Sequence, residues 1–507
     1  RRRKRRWSAA AAARTRSAPS CAPKTRPAAR DGTLSGLRGL LARFSCATGD
    51  APLDRYMNGW AAYQVTACRL EGRSSLYQSG GAFGFRDQLQ DAVNLLLLTR
   101  RYARERILDC CRHQYAEGDV MHWWHAHPDG DRGIRSRCSD DLLWLVWALC
   151  EYVDATGDTA LCDIETRYLA SPVLSESERD RYETPESTQK TASVLLHARA
   201  ALDLCAARGF GPHGLPWFGS GDWNDGLDAV DGESVWLGWF LSHCAARMAK
   251  LLELLSLPGA ERYSALAASV GAAADGAWNG RWYRRGYLAD GTPLGGDGRI
   301  DSLAQSWAVI SGAAAAERAG RAMDAAKRAL IDRRQSLVRL FAPPFGEEDP
   351  YPGYIAGYGE GFRENGGQYT HGAIWLALAF LKPVRADDAR ETLSLLLPEN
   401  HDLRRYKGEP FVLPADVYSA PGHEGEAGWT WYTGSAGWYF RVVTEYMLGL
   451  RLENGALGIA PALPAASPSY SAVWTDARGV RHEISADGKS IRADGEKYDG
   501  KPIGAAK

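Results

Sequence analysis

The stretch Gly219-Ser-Gly-Asp-Trp-Asn-Asp-Gly-Leu227 sets two carboxylates, Asp222 and Asp225, around the indole of Trp223 in a glycine-bounded loop. A carboxyl group can protonate a leaving oxygen and an indole offers a flat face to a sugar ring, so the loop points to chemistry at glycosidic bonds. A bare Asp-x-x-Asp is more often a solvated turn whose side chains bond their own backbone. The aromatic runs on either side, Leu215-Pro-Trp-Phe218 and Val235-Trp-Leu-Gly-Trp-Phe240, argue against a surface turn.

Other segments could complete such a site. Arg73-Ser-Ser-Leu-Tyr-Gln-Ser-Gly-Gly81 runs into Gly84-Phe-Arg-Asp-Gln-Leu-Gln-Asp91. A glycine-rich turn before a helix whose first turn carries Arg86, Asp87 and Gln88 offers amide donors, a cation and acceptors for hydroxyls. His122-Trp-Trp-His125, with His127 beyond, has the residue types of a metal cluster. It lacks a carboxylate at metalloprotease spacing, so packing or sugar stacking is the expectation and no metal is assigned. Glu364-Asn-Gly-Gly-Gln-Tyr-Thr-His371 puts a histidine at the start of an apolar helix, where the helix N-terminus favours an anion. In Gly428-Trp-Thr-Trp-Tyr-Thr-Gly-Ser-Ala-Gly-Trp438, Thr433 and Gly434 could give a hydroxyl and a backbone N–H to a phosphate oxygen. A plain aromatic-rich helix start explains that run equally well. No Walker loop and no dinucleotide fingerprint occurs, so no cofactor is expected.

From about residue 35 to 450 the pattern predicts helices at 53–70, 86–100, 101–115, 139–156, 187–208, 233–256, 260–278, 301–318, 320–332, 369–382, 386–396 and 434–450. Most carry apolar residues at i, i+3, i+4 and i+7, as Leu89, Ala92, Val93, Leu96 and Leu97 do. Ser139-Asp-Asp and Asp301-Ser302 are capping signals. A dozen helices with chemistry-bearing loops between them predict a closed double ring, a mainly α fold. After residue 450, Ser471-Ala-Val-Trp-Thr475 and Arg481-His-Glu-Ile-Ser485 alternate around Asp476-Ala-Arg-Gly479, which predicts a small antiparallel β region.

The 507 residues hold 61 basic and 61 acidic side chains, so no global field calls for nucleic acid or a membrane surface. Apolar runs such as Leu142 to Cys150 are too short to span a bilayer. The ten cysteines show no paired spacing, which suggests a reducing, cytoplasmic compartment. Residues 1–30 carry eleven Lys or Arg and no acid, and read as a basic disordered tail or a segment foreign to the fold. The expected division is a tail at 1–34, a catalytic barrel with a lead-in helix at 35–450, and a β region at 451–507.

Taken together, YQSGGAFGFRDQLQD, EGDVMHWWH, RCSDDLLWL, GSGDWNDG, GESVWLGWF, RIDSLAQSWAV, RENGGQYTHGAIW and GWTWYTGSAGW closely resemble, in chain order, the inverting phosphorylases of glycoside hydrolase family 94. That family includes cellobiose, chitobiose and 1,2-β-oligoglucan phosphorylases and the C-terminal domain of cyclic β-1,2-glucan synthases. FRDQLQD, HWWH and YTGSAGW are nearer the β-1,2-glucan branch. The resemblance covers about residues 50–465 and implies an (α/α)6 barrel with a C-terminal β layer. Carried over, it makes Asp225 the general acid, gives Asp87 and Trp223 to the glycon sugar, and gives Glu364 to the acceptor. It assigns phosphate to Arg73, His371, Thr433 and Gly434. An inverting hydrolase needs a second carboxylate to activate water, whereas a phosphorylase uses an anionic nucleophile and needs groups that hold it in line.

Three departures from the family pattern stand out. The β-sandwich that precedes the barrel in the family has no room ahead of residue 35, and the loops between Asp225 and Glu233 and at Gly295–Arg299 are short. The expected reaction is reversible phosphorolysis of β-glucosidic bonds, β-1,2 foremost, giving α-glucose 1-phosphate. The expected partners are a β-glucan oligosaccharide and inorganic phosphate. A homodimer is among the allowed assemblies. The alternatives are a phosphorylase-like domain of a cyclic β-1,2-glucan synthase within a longer polypeptide, a catalytically silent glucan-binding fragment, and an ordinary hydrolase of the same barrel fold.

Overall fold

The computed structural model describes residues 26–72, 80–347 and 350–504. The chain divides into two compact units, Arg1–Leu40 and Leu41–Lys507. The helix α1 (Arg26–Leu41), all but its last residue in the first unit, begins inside the stretch that the sequence reading assigns to a disordered tail. Leu34, Leu37 and Leu41 at i, i+3 and i+7 give it one apolar stripe, which the charge-based reading overlooks.

The second unit is built mainly from helices. Those that matter for the site are α2 (Phe85–Val93), α3 (Arg101–Arg112), α4 (Asp141–Thr156), α5 (Val194–Ala207), α6 (Val235–Leu254) and α7 (Ala260–Gly276). They continue as α8 (Ser302–Ser311), α9 (Ala316–Leu330), α10 (Thr370–Leu381), α11 (Ala386–Leu396) and α12 (Ser435–Arg441). The even-numbered helices touch in sequence: α2 packs on α4, α4 on α6, α6 on α8, α8 on α10, α10 on α12, and α12 on α2. Each of the first five is backed by the helix that follows it, and α12 by Ala61–Tyr63.

Composition explains who stands inside. Every residue of α10, Thr370 to Leu381, is buried, as befits a helix apolar on all sides. By contrast α3 buries Tyr102, Ala103, Ile107, Cys110 and Cys111 and turns its arginines and acids outward. Four of the six inner helices bring an indole to a shared centre: Trp144 from α4, Trp236 from α6, Trp307 from α8 and Trp375 from α10, all fully buried. Trp307 lies 5.2 Å from Trp375, 6.0 Å from Trp236 and 6.4 Å from Trp144 between ring centroids, edge to face in each case.

Some predicted helices are shorter. Residues 187–193 form the strand Glu186–Ser193, paired antiparallel with Glu165–Ala170, and Ser193 then caps α5. Thr188, Thr191 and Ser193 suit a pleated edge better than a helix interior. The helix expected at 301–318 ends at Gly312, whose φ of 74° gives the left-handed C-cap. The HWWH motif lies on the strand Met121–His125, which pairs with Arg132–Ser136. At the C-terminal end, Tyr470–Thr475 and Arg481–Ala486 are strands of a five-stranded antiparallel sheet. Its edge is Phe44–Ala47, a partner far away in sequence that local alternation does not announce.

Among the described residues no helix is long and apolar enough to cross a membrane. Among the described residues nine cysteines are free and buried.

Trp307→Ala removes the ring that meets the other three indoles and leaves a cavity in a closed core. The expected loss is about 3–5 kcal/mol of unfolding free energy in a urea titration. An unchanged midpoint would show that the indole centre does not hold the helices together.

Candidate active site

The Asp222–Asp225 loop is shaped from below. Gly219, at φ 67°, passes so close to the Arg137 carbonyl that a Cβ there would sit 2.2 Å from its oxygen. Asp222 is fully buried and receives three donors: Arg285 Nη2 at 2.6 Å, Ser234 Oγ at 2.7 Å and the Asn224 backbone N–H at 3.0 Å. Ser234 Oγ also caps α6 by accepting from Leu237 N, and Asp301, the cap of α8, lies 3.3 Å from Arg285 Nε. Burial pushes the Asp301 carboxyl up to about 6, against the pull of Arg285. One buried ionic group therefore fixes the loop and the starts of two inner helices. Asp222 has a structural place, with its acceptor positions occupied.

Asn224 accepts from Gly226 N at 3.0 Å and opens the short helical turn Asp225–Leu227. That turn lifts Asp225 out of the buried layer. Its Oδ1 accepts a 2.6 Å bond from Arg86 Nη2, and 43% of the side chain remains exposed. Arg86 is itself buried and also donates to Asp140 at 2.8 Å and to the Asp222 carbonyl at 3.1 Å. The sequence reading has Arg86 facing a ligand. The structure commits much of its fork to Asp140 and Asp225.

A cavity of about 360 Å3 opens above Asp225. Its wall brings together Asp87, Trp223, Asp225, Glu364, His371, Thr433 and Gly434, which come from four separate parts of the chain. Arg73 lies outside the described residues. Asp87 is in the first turn of α2, His371 in the first turn of α10, and Gly434 is the N-cap of α12. Three inner helices thus point their N-termini, with their positive dipole ends, at one space. An anion fits such a place.

The charges there are arranged in pairs. Arg69 Nε donates to Asp91 at 2.8 Å, its Nη2 lies 3.5 Å from Asp87, and its guanidinium covers the Tyr432 ring at 4.1 Å. Although burial works the other way, Arg69 and Arg86 hold the Asp87 carboxyl below its ordinary range. Glu364 is the opposite case: burial outweighs Arg363, 3.4 Å away, and raises its carboxyl. Burial also drives the His371 imidazole down to about 3, with Asp87 pulling weakly the other way, so the ring is neutral near pH 7. Its Nε2 has no hydrogen-bond partner among the described residues.

Trp223 departs from the open platform that its type suggests. It is 7% exposed and is held edge to face by Tyr369 at 5.4 Å and His371 at 5.2 Å, with Trp375 of the indole centre 5.0 Å below. Little of its face is free for a sugar. Four wall residues are not named by the sequence reading, Arg69, Arg363, Tyr369 and Tyr432, and of these only Arg69 lies outside every quoted motif, since Arg363 opens RENGGQYTHGAIW. Tyr369 and Tyr432 do sit inside quoted motifs, two residues before His371 and one before Thr433, and that adjacency was the available signal.

His122, Cys138 and Asp141 bring ligand-type atoms within 4.8 Å of one another. Arg86 stands 3.8 Å from both Cys138 Sγ and Asp141 Oδ1, a positive charge where a cation would have to sit. His122 Nδ1 is 2.7 Å from Asp141 Oδ2, and His125 turns away to the Gly80 carbonyl, so the two histidines of HWWH do not converge. Against burial, Asp141 raises the His122 imidazole to about 9.

Residues 38–449 match the Glycosyl hydrolase 94 superfamily, catalytic domain. The chain belongs to this family. A cyclic beta-(1,2)-glucan synthase NdvB of Rhizobium meliloti (strain 1021) is 42% identical over 463 residues, covering 87% of this chain and 16% of that protein. An N,N'-diacetylchitobiose phosphorylase of Vibrio proteolyticus is 28% identical, over 91% of this chain and 60% of that one. The chain therefore spans only part of the length of these curated relatives. In fold it is similar to a GH78 family rhamnosidase of Bacillus sp. GL1, with a TM-score of 0.59 at 14% identity over 90% of this chain and 42% of the other.

Two outcomes separate the buried from the open carboxylate. Asp222→Asn removes one of the two carboxylates that Arg285 faces in the interior and should cost about 3–5 kcal/mol of stability, read by denaturant unfolding. Asp225→Asn, at a half-open position, should leave the unfolding midpoint within about 1 kcal/mol. Equal losses would put both carboxyls in the structural layer.

His122 gives a pH signature. Its proton is held more tightly in the folded chain, about 9 against an ordinary 6.5. The stability it contributes is full below pH 6.5 and is lost as pH rises through 9. Melting temperature should fall more steeply over that window in the parent than in His122→Asn, and parallel curves would refute the pairing with Asp141.

Proposed function

We propose that this chain catalyses reversible, inverting phosphorolysis of β-glucosidic bonds, with β-1,2-linked gluco-oligosaccharides as substrate and α-glucose 1-phosphate as product. The observation that carries the reading is the shared cavity. An anchored but open acid, Asp225, faces the same space as three helix N-termini and a neutral imidazole with an unused nitrogen. In this scheme Asp225 gives its proton to the glycosidic oxygen as the bond to the anomeric carbon breaks. Phosphate, held by His371, Thr433, the N–H of Gly434 and Arg73, attacks from the opposite face and inverts the centre. Asp87 binds the glycon, which Trp223 meets with the small part of its ring left open, and Glu364 binds the acceptor sugar. The other carboxylates of the wall are engaged by arginines, which fits a reaction that does not activate water.

The β-1,2 linkage is supported by the 42%-identical relative, a cyclic beta-(1,2)-glucan synthase. That relative also favours a second reading, in which the chain is a phosphorylase-like part of a cyclic β-1,2-glucan synthase. The neighbour order of the inner and outer helices supports an (α/α)6 barrel as the architecture, and the buried free thiols fit a reducing, cytoplasmic setting.

Proton NMR of the protein with β-1,2-gluco-oligosaccharides should show α-glucose 1-phosphate only when phosphate is present, and the reverse reaction should extend an acceptor. Free glucose released at the same rate without phosphate would mean a hydrolase. Asp225→Asn should lower turnover by about 10²–10⁴-fold while oligosaccharide binding persists. Near-parental turnover in that variant would remove Asp225 from the acid's role.

A further inference from the structure

The cavity is at the small end of ligand pockets, which run from about 300 to 1,000 Å3. An oligosaccharide longer than the cavity must leave it and cross protein surface. Trp429, 52% exposed, stands in the cavity wall, and the same segment carries Trp431 two residues on. From Trp431 a ledge of rings continues outward. Phe411 lies 5.9 Å from Trp431, Trp60 stacks on Phe411 at 4.3 Å and 25°, and Tyr63 meets both Trp60 and Trp431 edge to face.

The ledge is held in place by buried groups. Trp431 adopts φ 67°, a strained conformation for an aromatic residue. Its indole N–H donates to Glu409 Oε1 at 2.9 Å. Gln64, fully buried, donates Nε2 to the Trp431 and Leu413 carbonyls at 2.9 and 2.8 Å and accepts from Leu413 N, so one amide clamps the 411–413 and 431 segments together. On the other side, Asn58 bonds both the N–H and the carbonyl of Cys46, and Gly59 at φ 139° breaks the helical run just before Trp60. Three segments are thereby fixed so that Trp60, at 37% exposure, stands at the surface instead of in the core.

We infer that this aromatic ledge, Trp60, Tyr63, Phe411 and Trp431, is a second carbohydrate-binding surface that carries the part of a β-glucan chain lying outside the cavity. The inference rests on the proposed glucan substrate. A glucan suits the ledge because its rings present apolar C–H faces to aromatic planes while its hydroxyls stay in water. Continuity with Trp429 and Tyr432 of the cavity wall favours such a chain over an unrelated partner. The surface sets preference for chain length and takes no part in bond cleavage.

The test compares the parent with Trp60→Ala/Phe411→Ala and with the gentler Trp60→Ser, each checked for an unchanged melting profile. Phosphorolysis is measured on β-1,2-gluco-oligosaccharides of two to three and of six or more sugars. Tryptophan fluorescence is titrated with the long oligosaccharide in phosphate-free buffer. The expected result is a loss of about tenfold in kcat/KM and in affinity for the long chain, through KM, with short-chain turnover unchanged. Equal effects on short and long chains, or none, overturn the ledge while leaving phosphorolysis standing. If no phosphorolysis occurs at all, the proposed reaction fails, and the fluorescence titration still decides the ledge. A parent dimer that the substitutions dissociate in sedimentation velocity would show that the rings join two copies of the chain, and would also overturn the inference.

Discussion

Arg285 is the pivot of the molecule. It lies buried between Asp222 of the loop and Asp301 at the start of α8, and it touches Ser234 at the start of α6. A buried ion pair returns its desolvation cost only when geometry and further hydrogen bonds are good, so such a group is weak evidence of stabilisation and better evidence of specification. Here it specifies. The atoms that cap two inner helices are the atoms that anchor the loop carrying Asp225, and neither can shift without breaking the other. Arg86 repeats the device one layer higher, with Asp140 beneath and Asp225 above.

This dependence accounts for the division of labour between two carboxylates three residues apart. Asp222 points into the ionic layer, and Asp225, raised by the turn that Asn224 caps, points into the cavity. The indole centre does the same for the far wall. Trp375 supports Trp223 at 5.0 Å and the His371 ring at 4.5 Å, so among the described residues the imidazole is held by packing. Rigid, buried elements deliver the side chains, as a site that must hold two reactants in line requires.

Much of this can be read along the chain, and the rest cannot, for identifiable reasons. Helix positions follow from apolar periodicity and from the capping type at Asp301, which are local signals. Motifs at loop ends locate Asp87, Trp223, Asp225, Glu364, His371, Thr433 and Gly434, and the structure gathers them around one space. Arg69 leaves no such trace, because its role comes from Asp91, Asp87 and Tyr432, at separations that no spacing rule encodes. Glu186–Ser193 is misread as helix because its strand partner, Glu165–Ala170, lies about twenty residues back. Residue type identifies Trp223 as aromatic and near the acid, but burial, a tertiary property, decides how little of its face is free.

The electrostatic design of the cavity follows from the same pairing. Among the described residues its arginines are already engaged: Arg69 by Asp91 and Asp87, Arg86 by Asp140 and Asp225, Arg363 by Glu364. An anion entering there meets hydrogen-bond donors more than bare cations, namely helix N-termini, the Thr433 hydroxyl and the neutral His371 ring. For the proposed reaction this has a chemical consequence. Of the groups proposed to hold phosphate only Arg73 is a cation, so most of the anion's contacts are neutral donors that leave its charge available for the anomeric carbon. Burial, which holds His371 neutral, is therefore part of the chemistry: the ring can present its unused nitrogen to phosphate at physiological pH because the core beneath it disfavours the imidazolium.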